Sequence, residues 1–187
     1  DRVPDFVAKL VYKNSRLDFH VAGLVRQLST HSGGDGDSVL GWGVSTGGKI
    51  TFGPAKRHDV RFNATYGQGI GRYLGLGYVP DAVYDRAALG DRLYRINNFA
   101  AFASLKLGWT PTVRSTLMAG YQHADYPGGI ALPGLANRAA YSLAGNLFWS
   151  PVKNLDLGIE YRHAQREVVS GLEGQMDRVE MAAKYTF

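Results

Sequence analysis

The chain has 187 residues, a length for one domain, and a formal net charge of +5 from 21 Lys and Arg against 16 Asp and Glu. It has no cysteine, which excludes disulfide frameworks, thiol nucleophiles and Cys-ligated zinc. No run approaches the roughly 18 apolar residues of a membrane helix, while 24 Gly and 12% aromatic residues favour tightly turned strands over helices.

From the N-terminus, Asp1-Arg2-Val3-Pro4 has no targeting character and reads as the tail of a loop entering a strand. Apolar and polar residues then alternate with period two to the end of the chain, the signature of strands. The alternating runs are 6–12, 16–28, 40–52, 60–70, 93–109, 113–122, 138–150, 155–162 and 178–187, nine candidate strands in all. In 155–162, for example, Leu155, Leu157, Ile159 and Tyr161 share one face, with Asp156, Gly158, Glu160 and Arg162 on the other. Short connections at 13–15, 53–58, 108–111 and 151–154 alternate with long ones at 29–37, 72–91, 125–137 and 168–177. Soluble β-sandwiches have no reason for this rhythm, whereas outer-membrane barrels have short turns on one side and long loops on the other.

Aromatic placement points the same way. Tyr12, Phe52, Trp109, Trp149 and Phe187 lie beside short turns or at the C-terminus, and Tyr66, Tyr121 and Tyr161 toward the long loops. Two such girdles bracketing an apolar band are expected at two lipid–water interfaces. The last residues, Met181 to Phe187, alternate and end on an aromatic residue, like the terminal strand of a Gram-negative outer-membrane barrel. The fold class expected is all-β: a transmembrane antiparallel up-and-down β-barrel, with 1–187 one barrel domain or a fragment of one. Complete bacterial barrels have an even strand number. Nine visible strands therefore mean either that a strand is split or missed, or that the chain is the C-terminal part of a larger barrel, the reading preferred here.

In such a barrel the polar face lines the lumen. It carries Lys9, Arg26, Arg61, Lys106, Arg114, Arg138, Arg162, Arg178 and Lys184 against Asp18, Asp156, Glu160 and Glu180. A wall biased toward Lys and Arg attracts anions, and Arg61, Lys106, Arg114, Arg138 and Arg162 are the candidate lining residues. Pairing with acids such as Glu160 and Glu180 would weaken that field. The 72–91 connection is too apolar for a freely solvated loop. Folded into the lumen it would form a constriction, with Tyr78, Asp81, Tyr84, Asp85 and Arg86 as candidates; the other reading is a cover over a subunit interface.

Gly67-Gln68-Gly69-Ile70-Gly71 lacks both G-x-x-G spacing and a Walker lysine, so it is no phosphate loop. The five His residues show no metal-ligand spacing, no catalytic triad is legible, and no metal or cofactor is expected. Basic residues occur singly rather than in runs, which argues against nucleic acid as a partner.

Val3-Pro4-Asp5-Phe6-Val7-Ala8, Gly23-Leu24-Val25-Arg26-Gln27-Leu28 and Gly67 to Tyr73 resemble the DcaP-like porins. That resemblance implies the C-terminal half of a sixteen-stranded outer-membrane channel for dicarboxylates, assembled as a homotrimer in outer-membrane lipid. The reading is thus a passive channel for small hydrophilic solutes, preferring anions, and not an enzyme. The alternatives are a small closed outer-membrane barrel acting in adhesion or as an enzyme, and a soluble lipocalin-type barrel with Trp149 and Tyr185 inside.

Overall fold

The computed structural model describes residues 3–30, 36–74, 78–85, 92–130 and 132–187. Nine long strands form one antiparallel sheet in simple up-and-down order. They are β1 (Phe6–Lys13), β2 (Leu17–Ser29), β3 (Ser38–Phe52), β4 (His58–Gln68), β7 (Asn97–Gly108), β8 (Val113–Asp125), β9 (Asn137–Val152), β10 (Leu155–Val168) and β11 (Glu173–Tyr185). A separate hairpin, β5 (Ala82–Asp85) with β6 (Arg92–Arg95), interrupts the β4–β7 connection. No helix among the described residues is long and apolar enough to cross a membrane, which says nothing against crossing by strands.

Local chemistry sets the short turns. Between β1 and β2 the Asn14 side-chain oxygen accepts from the backbone N–H groups of Arg16 and Leu17, at 2.9 and 2.8 Å. Between β7 and β8 the Thr110 hydroxyl accepts from those of Thr112 and Val113, at 3.2 and 2.9 Å. Such side chains imitate backbone partners and so stabilise tight reversals.

The sheet is apolar on the face where a soluble protein would be polar. Leu10 and Met181 are 80% and 81% exposed, and Val44, Leu117, Leu143, Leu147, Ile159 and Val179 share their face, exposed as well. Leaving one such side chain in water forfeits roughly 1.5–3 kcal/mol relative to burial. A face built this way is stable only against a nonpolar surrounding. Trp42 and Tyr66 pack at 5.8 Å and Phe99 and Tyr121 at 6.3 Å between adjacent strands, and Tyr121 stands opposite Tyr141. Together they form a girdle along the long-loop side of the apolar band. Trp149 and Tyr185 belong to this outward face, against the soluble-barrel alternative that places them inside.

Three expectations on element limits are corrected. Residues 93–95 belong to the β5–β6 hairpin, not to the strand that follows. The final strand begins at Glu173, not at 178, and its pairing with β10 runs through Glu173 opposite Glu167. The connection expected over 168–177 is therefore a tight turn at 169–172, where Gly171 takes φ 81° and its N–H donates to the Val168 carbonyl. The cause is common to both strand limits beyond Arg162: above the lipid-facing band both faces become polar, so hydropathy contrast ends while backbone pairing continues.

Among the described residues neither β1 nor β11 has a partner along its outer edge. The buried cluster is small and lies at the long-loop end: Val79, Ile96 and Ala124, with Tyr78, Val83 and Tyr126 packed against it.

Candidate functional site

The inner face is read from the pairing registers, because residues paired across strands point to the same side. It is concave: one recess of about 930 Å³ is lined from Asn63 and Thr65 on β4 through Phe102, Gly120 and Ser142 to Met176 on β11. Tyr73 and Leu74 of the β4–β7 connection close part of its long-loop side.

Charges on this face fall into rows. Lys49 stands opposite Arg61, and the same row continues through Ser104, Met118 and Ala144 to Arg162 and Arg178. One row nearer the short turns lie Asp59, Lys106, Thr116, Asn146, Glu160 and Glu180. The rows are two residues, or about 7 Å, apart along each strand. Within a strand each cation reaches back to its acid: Arg61 to Asp59 at 2.8 Å, Arg162 to Glu160 at 2.8 Å and Arg178 to Glu180 at 2.9 Å. Lys106 also approaches Asp59, at 3.9 Å. The recess lies on the long-loop side of the cation row, with Arg166 and Glu173 among its lining residues.

Nearer the short turns, Arg114 pairs with Asp156 at 3.0 Å and lies 4.9 Å over the Phe148 ring. Gly158, opposite Phe148, leaves room for that ring; a side chain there would overlap it. Four of the five expected lining residues, Arg61, Lys106, Arg114 and Arg162, thus lie on the inner face, each beside a carboxylate. Arg138 differs. It sits at the long-loop rim, where the β9–β10 register shifts, and pairs at 3.4 Å with Glu167.

Asp59, Lys49 and Arg166 were not singled out from the sequence. Asp59 falls at the end of a short turn, and Arg166 beyond the last apolar outward residue, where the binary pattern fades. Arg166 still obeys the alternation that puts Arg162 and Ala164 on its face, and it lines the recess. Extending the alternation past the apolar band would have found it.

The β4–β7 connection lies against the inner face. Asp81 accepts from the Arg26 guanidinium of β2 at 2.8 Å, and from the backbone N–H and side chain of Arg72 at 2.9 and 2.8 Å. Tyr78 reaches β9: its hydroxyl donates to the Ala139 carbonyl at 2.8 Å, while its own carbonyl accepts from the Asn137 amide at 2.6 Å. Strands β2 and β9 are five neighbours apart in the sheet, about 24 Å along its surface. Residues 78–81 span at most about 14 Å when extended, so this stretch takes the chord across the concavity. Burial raises the Tyr78 and Tyr126 hydroxyls above the ordinary tyrosine range, and Tyr126 donates to the Asn137 carbonyl at 2.7 Å. Tyr84 and Asp85 lie half-buried in β5, opposite Leu93 and Arg92. Arg86 lies outside the described residues.

Arg26 was expected among the charges of the lumen wall. Its side chain is instead fully buried, between Asp81 and Asp5. It presents no charge to the recess.

Among the described residues no group of three or more His, Asp or Glu side chains could hold a metal ion. A family model described as DcaP outer membrane protein matches residues 1–187. No curated protein matches the sequence. Among solved structures, the crystal structure of the outer membrane channel DcaP of Acinetobacter baumannii is similar over 100% of this chain and 52% of that one, with a TM-score of 0.81 and 25% identity. The chain therefore spans about half the length of that channel.

Proposed function

The chain belongs to the DcaP outer membrane protein family of the bacterial outer membrane, and we propose that it forms one side of a passive diffusion channel for small hydrophilic solutes, with a preference for anions. Its β1 and β11 edges, unpaired among the described residues, need further pairing, since lipid offers backbone groups no hydrogen bonds. Transport by this route has no covalent step: the wall concentrates the solute, and the inward connection limits its size.

The observation that carries the anion preference is the order of the two charged rows. Counted from the recess along the strands, the row of Lys49, Arg61, Arg162 and Arg178 comes first and the row of Asp59, Glu160 and Glu180 next. Pairing at 2.8–2.9 Å reduces the field without cancelling it, because the two rows together carry Lys13, Lys49, Arg61, Lys106, Arg162 and Arg178 against Asp18, Asp59, Glu160 and Glu180. Small dicarboxylates suit this row, since Arg presents a two-pronged donor to a carboxylate. Planar bilayer recordings test the reading. Replacing Arg61, Arg162 and Arg178 with Gln is expected to shift the reversal potential in a salt gradient toward cations, and to lower the current with succinate as the only anion. Glu160→Gln with Glu180→Gln is expected to shift it the other way. An unchanged reversal potential in both variants sinks the charge argument.

A homotrimer in outer-membrane lipid completes the proposal, on the family resemblance. Light scattering of the detergent-solubilised protein is expected to return three copies, and a monomeric mass counts against it.

A further inference from the structure

We infer that Arg26 is a positioning residue that sets the size limit of the channel, by latching the inward connection to the wall. The inference rests on the channel reading above.

Arg26 lies near the long-loop end of β2, its side chain 0% exposed. It joins three separate pieces of chain. Its Nη1 donates to Asp81 at 2.8 Å and to the Gly69 carbonyl at 3.3 Å, both in the β4–β7 connection. Its Nε lies 3.3 Å from Asp5, in the segment leading into β1. The Tyr73 ring lies 5.6 Å from its guanidinium carbon, and the Tyr73 hydroxyl donates to Asp5. That bond to Asp5 is the main reason the hydroxyl is raised above its ordinary range. A guanidinium out of water is stable only when its charge and donors are matched, and here the matching carboxylates come from different segments. Withdrawing the connection from the wall would take Asp81 and the Gly69 carbonyl away from a buried cation, which disfavours the open arrangement.

The surrounding backbone is shaped for this closure. Gly41, on β3 opposite Arg26, has the Arg26 Cγ 3.0 Å from where a Cβ would stand. Gly71 meets the Val79 and Pro80 carbonyls so closely that any side chain there would collide with them. The latch and the Tyr78 contact on β9 hold opposite ends of the stretch that crosses the concavity. Releasing the Arg26 end frees the chord to swing toward the rim.

Because Arg26 shows no charge to the recess, its loss should change size selection without changing charge selection. A lining arginine would do the reverse. The full protein carrying Arg26→Met is therefore expected to show single-channel conductance raised roughly two-fold, as for a widened constriction, and to admit larger neutral sugars in liposome swelling. Its reversal potential should stay that of the parent. Asp81→Asn is expected to act in the same direction and covers the case in which Arg26→Met fails to fold. A disulfide between Val79→Cys on the connection and Ala124→Cys on β8, which pack together, should restore parental conductance to either variant when oxidised and lose the effect when reduced. Parental conductance and sugar cut-off in both Arg26→Met and Asp81→Asn would overturn the inference. So would a shifted reversal potential at unchanged size limit, the result of a lining charge. Absence of anion preference in the parent would instead sink the charge reading and leave this test in force.

Discussion

Single side chains hold the inward connection through bonds that titrate. Tyr78 and Tyr126 are half-buried, and each hydroxyl donates to a backbone carbonyl of β9. Their folded values are raised, so the fold favours the protonated form. Their contribution is whole below the ordinary tyrosine value near 10 and is lost as pH climbs through the raised values. An alkaline titration followed at 295 nm is expected to show a late class of tyrosinates, with conductance rising over the same interval. Tyr78→Phe should remove part of that class and cost about 0.5–1.5 kcal/mol, the usual net value of one hydrogen bond. Tyrosines that all titrate together near 10 would contradict the burial. At this scale the sequence shows which residue types are present and little of their pairing. Asp59 looks like a turn residue, yet the strand's own alternation sets it beside Arg61 and the antiparallel register brings it to Lys106.

At the scale of the strand, the two faces make opposite demands. Ile159 on β10 points outward within the apolar band, whereas Ser142 on β9 lines the recess. Ile159→Arg is expected to cost about 2–4 kcal/mol, the penalty for a cation near the middle of the bilayer. Ser142→Arg should be tolerated and should increase anion preference. Reversible unfolding by urea in lipid vesicles measures both, and equal costs would contradict the assignment of faces. Period-two alternation made these faces legible, because successive side chains of any strand point to opposite sides. It did not make the strand limits legible. Glu173 to Asp177 and His163 to Glu167 pair across β10 and β11 above the lipid, where neither face is apolar.

For the molecule as a whole, the arrangement is a wall with one oily side and one charged side, crossed at its long-loop end by a tethered segment. The oily side has a thermodynamic reason only in lipid. On the charged side Arg61, Arg162 and Arg178 each stand one row nearer the long loops than the acid they pair with. On the proposed reading, the segment across the wall makes size a separate criterion from charge, carried by different residues.

The sequence by itself determined the class of fold, the two faces, the girdles and the number of strands in the sheet. Each follows from local rules: side-chain period, turn chemistry and the preference of aromatic residues for interfaces. The placement of Arg61, Lys106, Arg114 and Arg162 on the inner face belongs to that legible part. Only the tertiary structure brought Arg114 to Asp156 and Lys106 to Asp59, which lie on different strands. It also moved Leu93 to Arg95 into a hairpin, carried residues 78–81 across the concavity and buried Arg26 beneath them. Those outcomes depend on contacts between segments far apart in the chain, such as Arg26 with Asp81 and Tyr78 with Ala139, which no local periodicity encodes.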